Sequence, residues 1–349
     1  MTLDAYHIDS HKLHFHPDRV AEWMNGKQIA PLYMEISPSG TCNHRCRFCG
    51  MDFMGYKPRF LPTEQFCACL EEMGQCGVKA IMYAGEGEPF LHKEMGHIAQ
   101  VTKSARMDVA FTTNAVNLGA KYAETVLPVT SWIKVSCNAG TRETYAHIHG
   151  TQASDFDVVM RNTAEAVRLR EKCGSTCTLG FQMVLLPENR DEAVSLAQRV
   201  RDLGADYLVI KPYSIHRLSS LEEYRSLSYE DCTELAEQLQ TVTGQGFSVI
   251  FRHEAMQRLK SSPVYSECLA LPFWSYIDSG GSVWNCLRHI GENAFYGGNI
   301  FEASFAELIK KRNTPKGFAI ADCHTDCRMD AINAYLWSLT HPGPHVNFI

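Results

Sequence analysis

In the stretch Leu32-Tyr33-Met34-Glu35-Ile36-Ser37-Pro38-Ser39-Gly40-Thr41-Cys42-Asn43-His44-Arg45-Cys46-Arg47-Phe48-Cys49, a run that reads as a β-strand passes directly into a loop with three cysteines. Outward from it, strand-like runs alternate with helical ones. Lys79–Ala84, Asp108–Thr113, Trp132–Asn138, Thr178–Leu186 and Asp206–Pro212 read as further strands. Thr63–Gln75, Glu94–Ala105, Phe156–Lys172 and Glu192–Leu203 between them carry apolar residues at helical spacing. Strand–helix alternation of this kind predicts βαβ units on a parallel sheet. Six strands are too few for a closed eight-stranded barrel, so the expected α/β fold is a partial (β/α)6 TIM-like barrel. Function is then expected at the C-terminal strand ends.

Leu221–Thr243 predicts one or two further helices, broken at Gly244-Gln245-Gly246. The chain then changes to short strands, Gly-rich turns and two modest helices, Phe305–Arg312 and Met329–Leu339. Three parts are expected: an N-terminal segment 1–30, the barrel 31–245, and a small α+β domain 246–349.

Composition narrows the function. Lys and Arg total 33 against 39 Asp and Glu, a net charge of −6, which argues against nucleic-acid binding. No apolar run is long enough to span a membrane. Met1-Thr2-Leu3-Asp4-Ala5-Tyr6-His7 lacks the basic and apolar regions of a signal peptide, so a cytoplasmic location is expected. In that compartment 14 cysteines are not a disulfide framework, and metal ligation is the competing use. His7, His11, His14 and His16 read as a solvated tail.

A tight loop with Cys42, Cys46 and Cys49 delivers three thiolates to one cubane iron–sulfur cluster and leaves one iron open to a chelating small molecule. The alternative is a zinc site with His44 as the fourth ligand. Cys-x3-Cys-x2-Cys after the first strand, with Phe48 before the last cysteine, resembles the radical S-adenosylmethionine (SAM) superfamily over about residues 30–215. That resemblance implies a SAM-binding [4Fe-4S] cluster whose open iron holds the amino and carboxylate groups of SAM. It also implies an electron donor such as flavodoxin or ferredoxin, and a 5′-deoxyadenosyl radical that abstracts substrate hydrogen.

Gly85-Glu86-Gly87-Glu88-Pro89 follows the second strand and resembles the family's Gly-Gly-Glu-Pro motif, which meets the methionine ammonium. Glu86 stands where a glycine is usual. Thr113 and Asn114 end the third strand, and Ser136 and Asn138 end the fourth on the face opposite Cys137. These four suit ribose hydroxyls and the carboxylate, or else cap the following elements. Gln182 alternates with Phe181 and Met183 and is expected to point inward beside the adenine. Lys211, Tyr213 and His216 cluster at the sixth strand end, as candidates to bind substrate or move a proton.

Cys268, Cys286, Cys323 and Cys327 form a second set, with Cys286 closing a hairpin that turns at Gly280-Gly281. Four thiolates fit one fully ligated auxiliary [4Fe-4S] cluster or a structural zinc site. The arrangement resembles the twitch extension, a shortened SPASM domain, of some radical SAM enzymes. Cys67, Cys69, Cys76, Cys137, Cys173, Cys177 and Cys232 are left over, most of them expected as small buried apolar residues.

The function expected is oxidation of an alcohol on a small polar substrate, a sugar or aminocyclitol, with the auxiliary cluster taking the second electron. A looser resemblance to enzymes of carbohydrate biosynthesis supports it. The alternatives are a radical epimerase, a peptide-modifying maturase and a non-catalytic iron–sulfur carrier. Peptide maturases often carry an additional N-terminal domain, whereas here only residues 1–30 precede the first strand.

Overall fold

The computed structural model describes residues 6–8, 10–244, 246–259, 262–312, 318–323 and 327–348. The six expected strands form: β1 (Tyr33–Ile36), β2 (Ala80–Tyr83), β3 (Asp108–Thr113), β4 (Thr130–Ser136), β5 (Thr178–Val184) and β6 (Tyr207–Lys211). Each pairs with the next in parallel, as in a partial barrel. Helix α1 (Pro17–Met24) precedes them. The crossovers carry α2 (Thr63–Gln75), α3 (Met95–Ser104), α4 (Ala120–Val126), α5 (Arg142–His149), α6 (Ser154–Cys173) and α7 (Ala193–Asp202).

Both edges of this sheet are extended by the C-terminal third of the chain. After α8 (Thr233–Gln240), β7 (Ser248–Phe251) pairs in parallel with β6. Beyond α9 (His253–Arg258), β8 (Trp274–Ile277) pairs in parallel with β1, and β9 (Ser282–Trp284) and β10 (Tyr296–Asn299) add antiparallel to it. The result is one ten-stranded sheet in the order β10-β9-β8-β1-β2-β3-β4-β5-β6-β7. Helices α10 (Phe305–Lys311) and α11 (Asp330–Thr340) complete the chain. Residue 245, where a boundary was expected, lies outside the described residues, and strands from both sides of it share the sheet. Leu221–Thr243 forms only α8; Cys232 is its N-cap rather than a residue within it. Among the described residues, no helix is long and apolar enough to cross a membrane.

Strand alternation divides the side chains into two faces. Ile81, Phe111, Ile133 and Phe181 bury against the helices, where α2 contributes Phe66, Leu70 and Met73 at helical spacing. Each such buried side chain is worth about 2 kcal/mol. The inner face carries Tyr33, Met82, Ala84, Ala110 and Trp132, with Tyr207, Val209 and Ile250 covered by Tyr6 and Ile8 of the N-terminal segment. Arg312 clamps the C-terminal strands, donating to the carbonyls of Leu271 and Trp274 at 2.6 Å and to Asn285 Oδ1 at 2.8 Å.

Candidate active site

The three-cysteine loop is fixed by its backbone. Arg45 and Arg47 donate their amides to the carbonyls of His149 and Ile148 at the end of α5, at 3.0 and 2.9 Å. The Arg45 guanidinium folds back onto the Cys42 and His44 carbonyls at 2.7 Å and lies 4.1 Å from the Tyr56 ring centroid. Burial pushes the Cys42 thiol up to about 12 and raises Cys46 and Cys49. Cys46 is raised further by both other thiols, so the three converge. Three half-buried thiols on one short loop that raise one another fit an iron–sulfur cluster.

His149 is a contact of the cysteine loop that the sequence reading missed. Its Nε2 accepts from the Asn138 amide at 3.1 Å, so the proton sits on Nδ1, which lies 3.4 Å from the Cys46 sulfur. Tyr145 stacks on it at 4.1 Å, and Phe48 meets it edge-on at 5.6 Å. His44, Cys46 and His149 bring ligand atoms within 4.8 Å of one another. His44 Nε2 faces Asp155 at 3.4 Å, and His149 Nε2 accepts from the Asn138 amide. Nothing in the sequence around His149 marks it, since only the packing of α5 against the loop brings it there.

The Gly85–Pro89 loop packs directly on the start of the cysteine loop. Gly85 has φ +114°, and a Cβ at Gly87 would stand 2.3 Å from the Ser39 carbonyl oxygen and 2.4 Å from that of Thr41. Gly87→Ala is therefore expected to push the cysteine loop off its seat. The reconstituted variant should retain less than half the iron of the wild-type first site, measured by colorimetric iron assay, with its circular dichroism unchanged.

Several expected cofactor residues are engaged inside the protein. The buried Glu88 carboxylate accepts from the Thr113 hydroxyl at 2.6 Å, the Asn114 amide at 2.8 Å and the Phe90 amide at 3.1 Å. Burial still raises it to about 7. Asn114 also bonds Asn43 of the cysteine loop at 2.7 Å. Asn138 Oδ1 accepts from the Val184 amide at 2.6 Å. Glu86 accepts from the Ser279 amide at 2.6 Å, holding the β8–β9 turn against this loop, with Arg59 3.8 Å away. These side chains shape the wall. Ser136 and Gln182 are neighbours in register on the inner face, both half-buried.

The three candidate proton-transfer residues separate clearly. His216 stacks on Phe53 at 4.2 Å; its Nδ1 accepts from the Leu218 amide, and its Nε2 donates to the Leu287 carbonyl. Tyr213 is buried against Tyr224, and burial pushes its hydroxyl up to about 12. Lys211 lies on the inner face, where burial and then the positive charge of Lys134 lower it to about 7.

The second cysteine set also converges. Cys327 is raised by burial and by Cys268, Cys286 and Cys323 together. Burial pushes Cys268 to about 11 and Cys286 to about 12. Cys286, Cys268 and Cys327 sit in one apolar cluster with Trp274, Phe295 and Met329. Asn333, fully buried on α11, accepts from the Leu269 and Ala270 amides, and its side-chain amide lowers Cys268. Residues 324–326, between Cys323 and Cys327, lie outside the described residues.

Residues 36–200 match the family model described as the radical SAM superfamily. Curated relatives include the GTP 3′,8-cyclase of Alkaliphilus metalliredigens, 29% identical over 57% of this chain and 62% of that protein. A probable GTP 3′,8-cyclase of Saccharolobus solfataricus is 23% identical over 60% of this chain and 65% of that one. The chain thus matches less than two thirds of these relatives' length. Among solved structures, Streptococcus suis SuiB bound to the precursor peptide SuiA aligns at TM-score 0.64 and 16% identity, covering 85% of this chain and 69% of that chain. Native anSMEcpe with bound AdoMet aligns at TM-score 0.60 and 16% identity, covering 82% and 83%. At these identities the likeness shows the fold alone.

Proposed function

We propose that this chain, whose residues 36–200 match the radical SAM superfamily model, is a radical SAM dehydrogenase of a small polar substrate held against the inner face of the barrel. Its cofactors are SAM and two [4Fe-4S] clusters. When bound, the cluster on Cys42, Cys46 and Cys49 supplies the electron that splits SAM to methionine and a 5′-deoxyadenosyl radical, and the one on Cys268, Cys286, Cys323 and Cys327 supplies an electron acceptor.

The chain's own residues do the rest. Ser136 and Gln182 offer unspent polar groups on the wall above Lys134. With these groups bound, the alcohol carbon would lose its hydrogen atom to the 5′-deoxyadenosyl radical, Lys211 would take the hydroxyl proton, and the one remaining electron would pass to the acceptor held by Cys268, Cys286, Cys323 and Cys327, giving a ketone. The observation that carries this reading is the choice among bases. Tyr213 is protonated at neutral pH, and His216 has both nitrogens engaged, whereas Lys211 is lowered to about 7 and faces inward. Among the groups facing Lys211, Lys134, Arg252 and Arg328 favour its neutral form, and Glu35 opposes them.

An epimerase needs a thiol to return hydrogen. The spare cysteines do not supply one: Cys137, Cys177 and Cys232 are buried in the helix-covered core, Cys67, Cys69 and Cys76 pack at its edge, and Cys173 is exposed. A second reading, cyclisation of a nucleotide, is favoured by the names of the curated relatives. The product separates the readings. Oxidation gives a product lighter than substrate by two hydrogens, with no carbon-bound deuterium from D2O beyond keto–enol exchange. An unchanged mass with one fixed deuterium would point to an epimerase, and an unchanged mass with none to a cyclase.

The base assignment makes a pH prediction. A lysine that must be neutral to accept a proton is competent above its pKa, so kcat/KM should fall about tenfold per pH unit below 7. Lys211→Arg, which keeps the charge but cannot lose the proton, should remove turnover at every pH from 6 to 9. A flat profile in the wild type would exclude Lys211 as the base.

A further inference from the structure

The His149 ring is held in one orientation by protein groups alone. It is buried in the last turn of α5. Tyr145, one turn earlier, stacks on it at 4.1 Å with the rings 19° from parallel, and Phe48 and His44 meet it edge-on at 5.6 and 5.4 Å. Its Nε2 faces two donors, the Asn138 backbone amide at 3.1 Å and the Asn138 side-chain nitrogen at 3.2 Å. That side chain cannot turn round, because Asn138 Oδ1 accepts from the Val184 amide at 2.6 Å and so leaves Nδ2 for the ring. Asn189 in turn donates to the Asn138 and Val184 carbonyls, both at 2.9 Å, and ties together the two strand ends that carry these groups.

A backbone amide can only donate, so Nε2 must turn its lone pair toward Asn138, and the single ring proton sits on Nδ1. Nδ1 lies 3.4 Å from the Cys46 sulfur, within reach of an N–H···S hydrogen bond. The ring thus presents one donor to one sulfur, aimed by groups on its far side. The Tyr56 hydroxyl stands in the same relation to Cys49, and the His44 backbone to Cys42, so donors converge on all three sulfurs. A neutral thiol accepts such a bond weakly. A thiolate bound to iron carries negative charge and accepts it strongly.

We propose that His149 is a positioning residue whose Nδ1–H bond to the Cys46 thiolate raises the reduction potential of the cluster on Cys42, Cys46 and Cys49. The inference rests on reading that loop as the cluster site and is independent of the substrate and of the reaction it undergoes. One added electron makes the cluster more negative, so a donor at its sulfur stabilises the reduced form more than the oxidised one. A charge-assisted bond of this kind is worth on the order of tenfold in the reduction equilibrium, about 59 mV for one electron. The bond therefore eases reduction of the cluster by a one-electron donor. Asn138 and Asn189 serve the same end at one remove, by keeping the ring proton on the nitrogen that faces sulfur.

The test is a redox titration of the anaerobically reconstituted full chain, with the reduced clusters followed by electron paramagnetic resonance. His149→Phe keeps an aromatic ring for Tyr145 to stack on but has no donor, and it should lower the potential of the first cluster by about 59 mV, a tenfold change. His149→Gln can still accept from Asn138 and donate to sulfur, and it should recover most of that shift. The C-terminal cluster, read in the same titration, should not move. A purely structural role would lower the iron content and leave the potential of the remaining clusters unchanged. If His149→Phe fails to hold iron, the wild type decides. With its histidines labelled with nitrogen-15, the reduced first cluster should show a histidine coupling in pulsed resonance, and His44→Gln should keep it. An unchanged potential in His149→Phe, an equal shift at both clusters, or no histidine coupling in the wild type would each overturn the proposal. A first site that takes up no iron would overturn the cluster reading and the proposal together. The expected shift supports the proposal even where no oxidised product forms, a result that counts against the dehydrogenase reading alone.

Discussion

Cys46→Ala is expected to abolish reductive formation of 5′-deoxyadenosine. The loss should be at least about a hundredfold, since even partners one step removed from a metal are worth ten- to a hundredfold. Cys46 is the central thiol of the loop, with His149 Nδ1 at 3.4 Å from its sulfur and the other two thiols raising it. The loop itself is held by backbone bonds from Arg45 and Arg47 to the end of α5, which alanine does not disturb. The variant should therefore fold, keep the C-terminal site and retain about half of the roughly eight irons per chain expected from two four-iron clusters. Cofactor cleavage at the wild-type rate by this variant would remove the three-cysteine loop from the chemistry.

Cys286→Ala is expected to have the complementary effect. Cys286 lies two residues past β9 and is 9% exposed, raised by burial and then by Cys268 and Cys323. Its loss leaves three thiolates at the second site and none of the first site's ligands changed. Iron should fall to about four per chain, 5′-deoxyadenosine should still form, and the oxidised product should be lost. A wild-type preparation with about four irons and one bound zinc would make the C-terminal site structural and end its role as electron acceptor.

The sequence made the local parts of this site readable. Cysteines at fixed spacing in one loop need no tertiary information, and six strands and α2 follow from hydrophobic period alone. His149 stands in plain view at the end of α5, but a lone histidine gains meaning only when it is known to meet Cys46 and Asn138. That meeting requires α5 to pack on a loop 103 residues earlier, a non-local choice with no sequence marker. Glu86 shows the same limit. Its position in the Gly85–Pro89 loop suggests the cofactor, and only the packed β8–β9 turn supplies the Ser279 amide that claims its carboxylate. Thr113, Asn114 and Asn138 look free at strand ends, yet buried polar groups there find internal partners first.

On this reading the chain cleaves SAM reductively at the Cys42–Cys46–Cys49 site. The most direct measurement is chromatographic quantification of 5′-deoxyadenosine and methionine after anaerobically reconstituted wild-type protein is mixed with SAM and a strong reductant. Equal amounts of the two products, absent without reductant, are the predicted result; intact SAM beside a fully iron-loaded, reduced protein would contradict it.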